Sequence, residues 1–282
     1  MINPLRFIFV FAALFSSALV FLAQANGTPS DSKPRAVATY SRIITLAPVL
    51  SEWTAEILGQ AESEKKLLAV SEYSLYPAYL KKIPTIGSYA VLNVEAIARL
   101  KPDLIIASSE YNRPEQLDQL KRLHLPIEIL PGEKFAAMPD WIRALAHLLH
   151  SESAGKSLAK RWEIEVKTLA SKKAKTVRFF LEIQHQPLIT IGGTSFLNDA
   201  FAVIGYENIF HSLSQAYPKV SKESVLKENP DLMLIMDLSG APSETFKTAE
   251  GDWKKYGKTS KMISDDEFAR CSFVLLKALG KL

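Results

Sequence analysis

The stretch Asn93-Val-Glu-Ala-Ile-Ala-Arg-Leu-Lys-Pro102-Asp-Leu-Ile-Ile has a counterpart later in the chain, Ser221-Lys-Glu-Ser-Val-Leu-Lys-Glu-Asn-Pro230-Asp-Leu-Met-Leu. Each copy opens on a helix-capping residue, places a glutamate two positions on, meets Pro seven residues after that, and continues as Asp-Leu into an apolar run. A cap starts a short helix, Pro ends it because it has no N–H to give the next turn, and the apolar run reads as a buried strand. A chain that carries this helix–strand unit twice, far apart, is constrained to build one architecture two times.

Between the copies lies residues 151–173, with apolar residues at Leu158, Trp162, Val166 and Leu169. Steps of four, four and three keep these on one helix face. Ser151 is positioned to cap it, Glu152 suits the positive end of the dipole, and Lys172 and Lys173 suit the negative end. Such a helix spans about 30–35 Å. Strand and helix patterns alternate on both sides of it. Strands are expected at 42–46, 67–70, 103–107, 126–130, 177–183 and 231–236. Helices are expected from Ser51 to Gly59, at 93–100, 115–123, 139–149 and 195–204, after Ser221, and at 273–282. Alternation of this kind makes parallel βαβ units. The segment 251–262 is too polar to assign. The fold class expected is α/β: two Rossmann-like lobes, 41–150 and 176–282, joined by one long connecting helix, 151–175, with a ligand cleft between the lobes. One long helix packed on a single domain is the alternative that the repeat displaces.

The start of the chain has a different character. Arg6 is the sole charge before Asp31, an apolar run follows it, and Ala23-Gln24-Ala25 offers small residues for cleavage. Residues 1–25 read as a secretory signal peptide, with an uncleaved anchor as the alternative, and 26–40 as a disordered leader rich in Pro and Ser. No Cys follows the apolar run, which excludes a lipid-anchored start, and Cys271 is the only cysteine, so no internal disulfide can form. A net charge of +4, lower by one without Arg6, is too weak and dispersed for nucleic acid. The lysines at 254, 255, 258 and 261 read as a solvated face.

Four groups of residues carry candidate chemistry. Glu95 and Glu223 each lie in a helix's first turn, where a carboxylate favours the dipole by about 0.3–1 kcal/mol. At equivalent points of two lobes they also make charged knobs for a symmetric basic partner. Tyr73, Tyr76, Tyr89, Tyr111 and Tyr217 fall in loops near strand ends and can line a cleft for a large flat ligand. Ser264 to Arg270 reads as a loop in which Asp266 and Arg270 either pair with each other or bond an amide-rich ligand. Gly192-Gly193 is either a turn or an anion cradle. His147 and His150 share a helix face without forming a metal-site pattern, and no nucleophile, phosphate-loop or metalloprotease motif is present, so no enzyme activity, metal or cofactor is expected.

With RIITLAP, SEYSLYP, NVEAIARLKPDLII, GYENIF, YPKVSKESVL and DEFAR in order, residues 41–282 resemble the substrate-binding proteins of ABC importers that have a single rigid connecting helix and serve vitamin B12, haem and iron–siderophores. The aromatic and Asp/Arg positions resemble the corrinoid-binding branch. The resemblance implies a monomeric periplasmic receptor whose transported ligand is cobalamin or a related corrinoid. It implies docking of Glu95 and Glu223 on arginines of the paired membrane subunits. It also implies ring contacts from Tyr73, Tyr89 and Tyr217, and contacts to corrin amides from Asp266 and Arg270. The chain departs from that branch at Ser108, Tyr89 and Tyr217, where tryptophans are expected, and at Ile189, where phenylalanine is expected. Fewer large rings leave room for a different corrinoid or another flat chelate. Haem or a ferric siderophore is the alternative within this class; an anionic siderophore would need several basic residues at the cleft, and Arg270 is the only clear candidate. A secreted two-lobed enzyme and a ligand-free adaptor are the alternatives outside it.

Overall fold

The computed structural model describes residues 39–132, 134–172, 175–237 and 242–282, so the expected signal peptide and nearly all of the leader lie outside the described residues. Tyr40, assigned to the leader, is packed: its ring stacks on His150 at 5.7 Å.

The first half runs β1 (Ile43–Thr45), α1 (Pro48–Leu58), α2 (Gln60–Lys66), β2 (Leu67–Ala69), the short antiparallel pair β3 (Gly87–Ser88) and β4 (Val91–Leu92), α3 (Val94–Arg99), β5 (Leu104–Ser108), α4 (Pro114–Arg122), β6 (Ile127–Leu130) and α5 (Met138–Leu148). The long helix α6 (Glu152–Ser171) follows. The second half runs β7 (Val177–Glu182), α7 (Phe196–Val203), β8 (Tyr206–Asn208), α8 (Lys222–Glu228), β9 (Leu232–Asp237), α9 (Glu244–Lys254), β10 (Ser260–Ser264), α10 (Asp265–Phe268) and α11 (Phe273–Leu279).

Two parallel four-stranded sheets result, ordered β2-β1-β5-β6 and β8-β7-β9-β10. Within each half the order is second, first, third, fourth strand. The sequence repeat is therefore a repeat of topology, with α3 and α8 each leading into the third strand. Its Pro-Asp pair has a structural reason. Asp103 accepts hydrogen bonds from the backbone N–H of Ser41 and Arg42 (both 2.8 Å), and Asp231 accepts one from the N–H of Arg178 (2.9 Å). Each aspartate thus ties the start of the third strand to the start of the first. The arginines reciprocate: Arg42 donates to the carbonyls of Leu100 and Lys101, and Arg178 to that of Glu228. These carbonyls lie at or just past the ends of α3 and α8, ahead of Pro102 and Pro230.

The sheets are buried on both faces, which is why their strands are apolar without alternation. Ile44, Ile105 and Ala107 pack outward under α3 and α4 with Ile97, Leu117 and Leu120. Phe180, Met233 and Ile235 pack outward in the second half with Val225, Phe246 and Trp253. The opposite faces, from Ile43 and Ile106 to Phe179 and Leu234, belong to one core that runs through α1, α5, α6, α7 and α11. Trp53, Trp162 and Phe273 form its aromatic centre, with ring centroids 5.0–5.9 Å apart. The connecting helix is thus a packed element of a shared core rather than a free-standing rod. Gly155 lets it approach α5, since a Cβ there would fall 2.2 Å from that of Ala146.

Four local readings need correction. Ser51 lies inside α1, which begins at Pro48, and its hydroxyl is buried against Thr45 and Ser74 (both 2.8 Å). Ser151 precedes α6 but donates to the carbonyl of Leu149 instead of capping. The stretch that begins at Ser264 contains the helical turn α10 rather than only a loop. The unassigned segment 251–262 holds the end of α9 and the start of the edge strand β10. No described helix is long and apolar enough to cross a membrane.

Candidate functional site

Parallel sheets place their ligand sites at the carboxyl ends of the strands, most readily where strand order reverses. A cavity of about 440 Å³ opens there. It is lined by Pro48 and Val49 after β1, Tyr73 after β2, Tyr89 in the β3–β4 turn, Tyr111 after β5, and Asp265, Asp266, Ala269 and Arg270 after β10. Both halves of the chain contribute. Tyr73, Tyr89, Asp266 and Arg270, picked out in the sequence, are brought together. Tyr217 is not among the lining residues. It is 46 % exposed in a loop whose flanking carbonyls, of Ala216 and Pro218, accept from the N–H groups of Gly192 and Thr190.

The aromatic wall is open to solvent. Tyr73 is 63 % exposed and adopts φ 64, a left-handed backbone that a bulky residue seldom takes without a functional or structural reason. Tyr89 is also exposed and meets Tyr111 edge to face at 6.1 Å. Asn112, which sequence reasoning missed, fixes that wall. Its buried amide donates to the carbonyls of Leu46 (2.8 Å) and Tyr89 (3.1 Å), and its oxygen accepts from the N–H of Ser108. Ser108, at the end of β5, is buried rather than presented to the cavity.

The polar floor is Arg270, only 7 % exposed. Its Nη1 donates to Glu52 Oε1 (3.0 Å) and to the carbonyl of Tyr73 (3.3 Å), and its Nη2 lies 3.5 Å from Asp266 Oδ1. A residue of the second half is thus clasped by α1 and by the loop after β2. Glu52 is buried, and loss of water pushes its carboxyl up to about 7 despite the pull of Arg270. The backbone N–H groups of Tyr76 and Leu75 and the Ser272 hydroxyl also pull it down, without offsetting the burial. Burial raises Asp265 as well, against Arg270 and with help from Asp266. Glu52 carried no signal in the sequence, because its partner lies 218 positions away.

Glu95 and Glu223 occupy the second position of α3 and α8, and both are exposed. Asn93 and Ser221 cap these helices, Ser221 through a capping box with Ser224. A hydrogen bond from its own backbone, then one from Ser221, lower the Glu223 carboxyl. The helix that carries Glu223 is anchored next door. Lys222 donates to Asp252 (2.5 Å), which also meets His185 (3.2 Å), and His185 bonds Glu182 at the end of β7 (2.9 Å). Gly192 and Gly193 form a turn and offer no anion cradle: their N–H groups donate to Ala216 and Leu213. His147 pairs with Glu152 and His150 with the Tyr40 ring, and no described cluster of His, Cys, Asp and Glu can hold a metal ion.

Doubled α/β topology, one long helix and a cavity to which both halves contribute describe a two-lobed α/β protein with an open site. The sequence profile of the periplasmic binding protein family matches residues 47–275, and the chain belongs to that family. Within it, the chain is similar to vitamin B12-binding proteins. It is 33 % identical over 253 residues to that of Pectobacterium carotovorum subsp. carotovorum (strain PC1), covering 88 % of each. It is 32 % identical over 200 residues to that of Vibrio vulnificus (strain CMCP6), covering 70 % of this chain and 72 % of the relative. The crystal structure of the periplasmic vitamin B12 binding protein BtuF of Vibrio cholerae superposes with a TM-score of 0.70 at 28 % identity, over 86 % of this chain and 94 % of that one. The periplasmic haem binding protein HutB of Vibrio cholerae, at 19 % identity, shares the fold with a TM-score of 0.68 over 86 % of this chain and 96 % of that one.

Proposed function

We propose that the protein is a monomeric periplasmic receptor that captures a corrinoid of the vitamin B12 type between its lobes and delivers it to the membrane subunits of an ABC importer. The observation that carries this reading is the convergence of Tyr73, Tyr89, Tyr111, Asp266 and Arg270 on one cavity made by both lobes. Exposed tyrosine faces suit the apolar rim of a large ring, and the acid–arginine floor suits its peripheral amides. Similarity to the vitamin B12-binding proteins supports the ligand class. The shared aromatic core restrains opening of the lobes, so affinity comes from a cleft that is largely pre-formed. No bond is made or broken.

Titration with cyanocobalamin and cobinamide tests the ligand. Saturable heat or fluorescence change at micromolar concentrations is expected, and silence with both removes the corrinoid assignment. The two exposed glutamates are the docking points. Replacing Glu95 and Glu223 by Ala should abolish uptake in cells while leaving affinity intact, and a fall in affinity would refute the docking role.

A further inference from the structure

Arg270 is the one cation among the described residues that line the cavity, and its charge is already taken. Glu52 holds Nη1 from below, Asp266 faces Nη2, and Asp265 stands on the same wall. With all groups ionised, three carboxylates surround a single guanidinium, and the floor is net negative. Arg270 can still direct N–H groups at a neutral oxygen, but it cannot repay a second anion for leaving water.

We infer that Glu52 is a specificity-determining residue: by neutralising Arg270 from within the first lobe, it makes the cavity favour ligands that present neutral amides there and disfavour those that present a carboxylate. The inference rests on the corrinoid reading of the cavity and narrows it to amidated, non-anionic ligands. It also disfavours an anionic siderophore, for which Arg270 was the basic candidate.

The state of Glu52 can be changed without mutation. Its carboxyl is pushed up to about 7, chiefly by burial, so the pair loses its negative member as pH falls below that point. The groups that face it are few. Arg270 comes from the second lobe with Asp265 and Asp266 on its far side, Ser272 offers a hydroxyl, and Leu75 and Tyr76 offer backbone N–H groups, with Tyr76 lining the same void. On its own helix, Glu56 lines the same small void one turn on, with Arg161 and Glu165 behind it. Once Glu52 is neutral, Asp266 is the carboxylate left in contact with Arg270, at 3.5 Å.

The test uses the full chain, cyanocobalamin, and the separated monocarboxylic acids obtained when one peripheral propionamide is hydrolysed, which change charge and little else. At pH 8 the wild type should bind cyanocobalamin, and at least one acid isomer about tenfold more weakly. Glu52→Gln should bring that isomer to within about twofold of cyanocobalamin, or ahead of it. Lowering the pH to 6 should shift the wild type the same way, which keeps the inference testable if the variant does not fold. Binding of cyanocobalamin with no isomer disfavoured, or a discrimination ratio unchanged in Glu52→Gln, overturns the inference alone. Silence towards every corrinoid overturns the ligand reading and this inference together.

Discussion

Glu52→Gln also has a stability signature that requires no ligand. The carboxyl lies at 4.5 in the unfolded chain and at about 7 when folded, with burial outweighing Arg270. Between those values the folded state holds a proton that the unfolded state has released, so stability falls as pH rises through the window. The penalty is absent well below 4.5 and complete above about 7. Integrated from pH 5 to pH 8 it comes to about 2.5 kcal/mol at 1.36 kcal/mol per unit of displacement. Glutamine keeps the shape of the protonated side chain and has no proton to lose. Urea unfolding of both proteins at pH 5, 6, 7 and 8 isolates the effect, because groups that do not interact with Glu52 cancel in the difference. Glu52→Gln should gain about 2–3 kcal/mol on the wild type between pH 5 and pH 8, most of it before pH 7. A difference constant to within about 0.5 kcal/mol would mean that Glu52 titrates as it does in water, and the electrostatics assigned to the cavity floor would be wrong.

Three further outcomes follow from the fold. Asp103→Ala should cost about 2 kcal/mol and Asp231→Ala about 1 kcal/mol by denaturant unfolding, because Asp103 accepts from Ser41 N–H, Ser41 hydroxyl and Arg42 N–H whereas Asp231 accepts from Arg178 N–H. Trp162→Ala empties the centre of the shared core and should cost about 3–5 kcal/mol; unfolding should stay a single transition by near- and far-ultraviolet circular dichroism, since one core joins both sheets. Gly192→Ala places a Cβ 2.0 Å from the carbonyl oxygen of Gln215 and should cost about 1–3 kcal/mol, loosening the loop that carries Tyr217, as amide hydrogen exchange there would report.

The parts of this molecule legible in the sequence are those whose causes are local. Pro102 and Pro230 stop helices, Asn93 and Ser221 start them, and strands buried on both faces read as apolar runs such as Leu104–Ser108. What escaped reading depends on partners distant in the chain or on weak local pattern. The strand β10 buries only Ile263, so it shows no alternation. The helix α9 buries Phe246, Ala249 and Trp253 at helical spacing, but Gly251 and a polar surface break up that pattern. Ser51 looks like a cap because serine usually caps. It sits within a helix here because Thr45 and Ser74 satisfy its hydroxyl in the core. Tyr73, Tyr89, Asp266 and Arg270 could be picked out as residues, but the carboxylate beneath Arg270 could not.

That carboxylate changes what the arginine means. Read from the sequence, Arg270 either pairs with Asp266 or bonds the ligand, and nothing assigns it a partner in the first half. In the structure it is a buried strap from the second lobe to α1 and to the loop carrying Tyr73, with its charge balanced before any ligand arrives. The same contacts that orient the guanidinium therefore hold the two walls of the cavity in register. Holding a ligand and keeping the lobes together draw on one side chain, so Arg270→Ala should lower stability and affinity at once. Glu52→Gln leaves Arg270 in place and changes which charge the cavity accepts, together with the pH dependence of stability worked out above. Charge selection can be changed at Glu52 with the guanidinium still in place, whereas removing Arg270 takes away recognition and the link between the walls together.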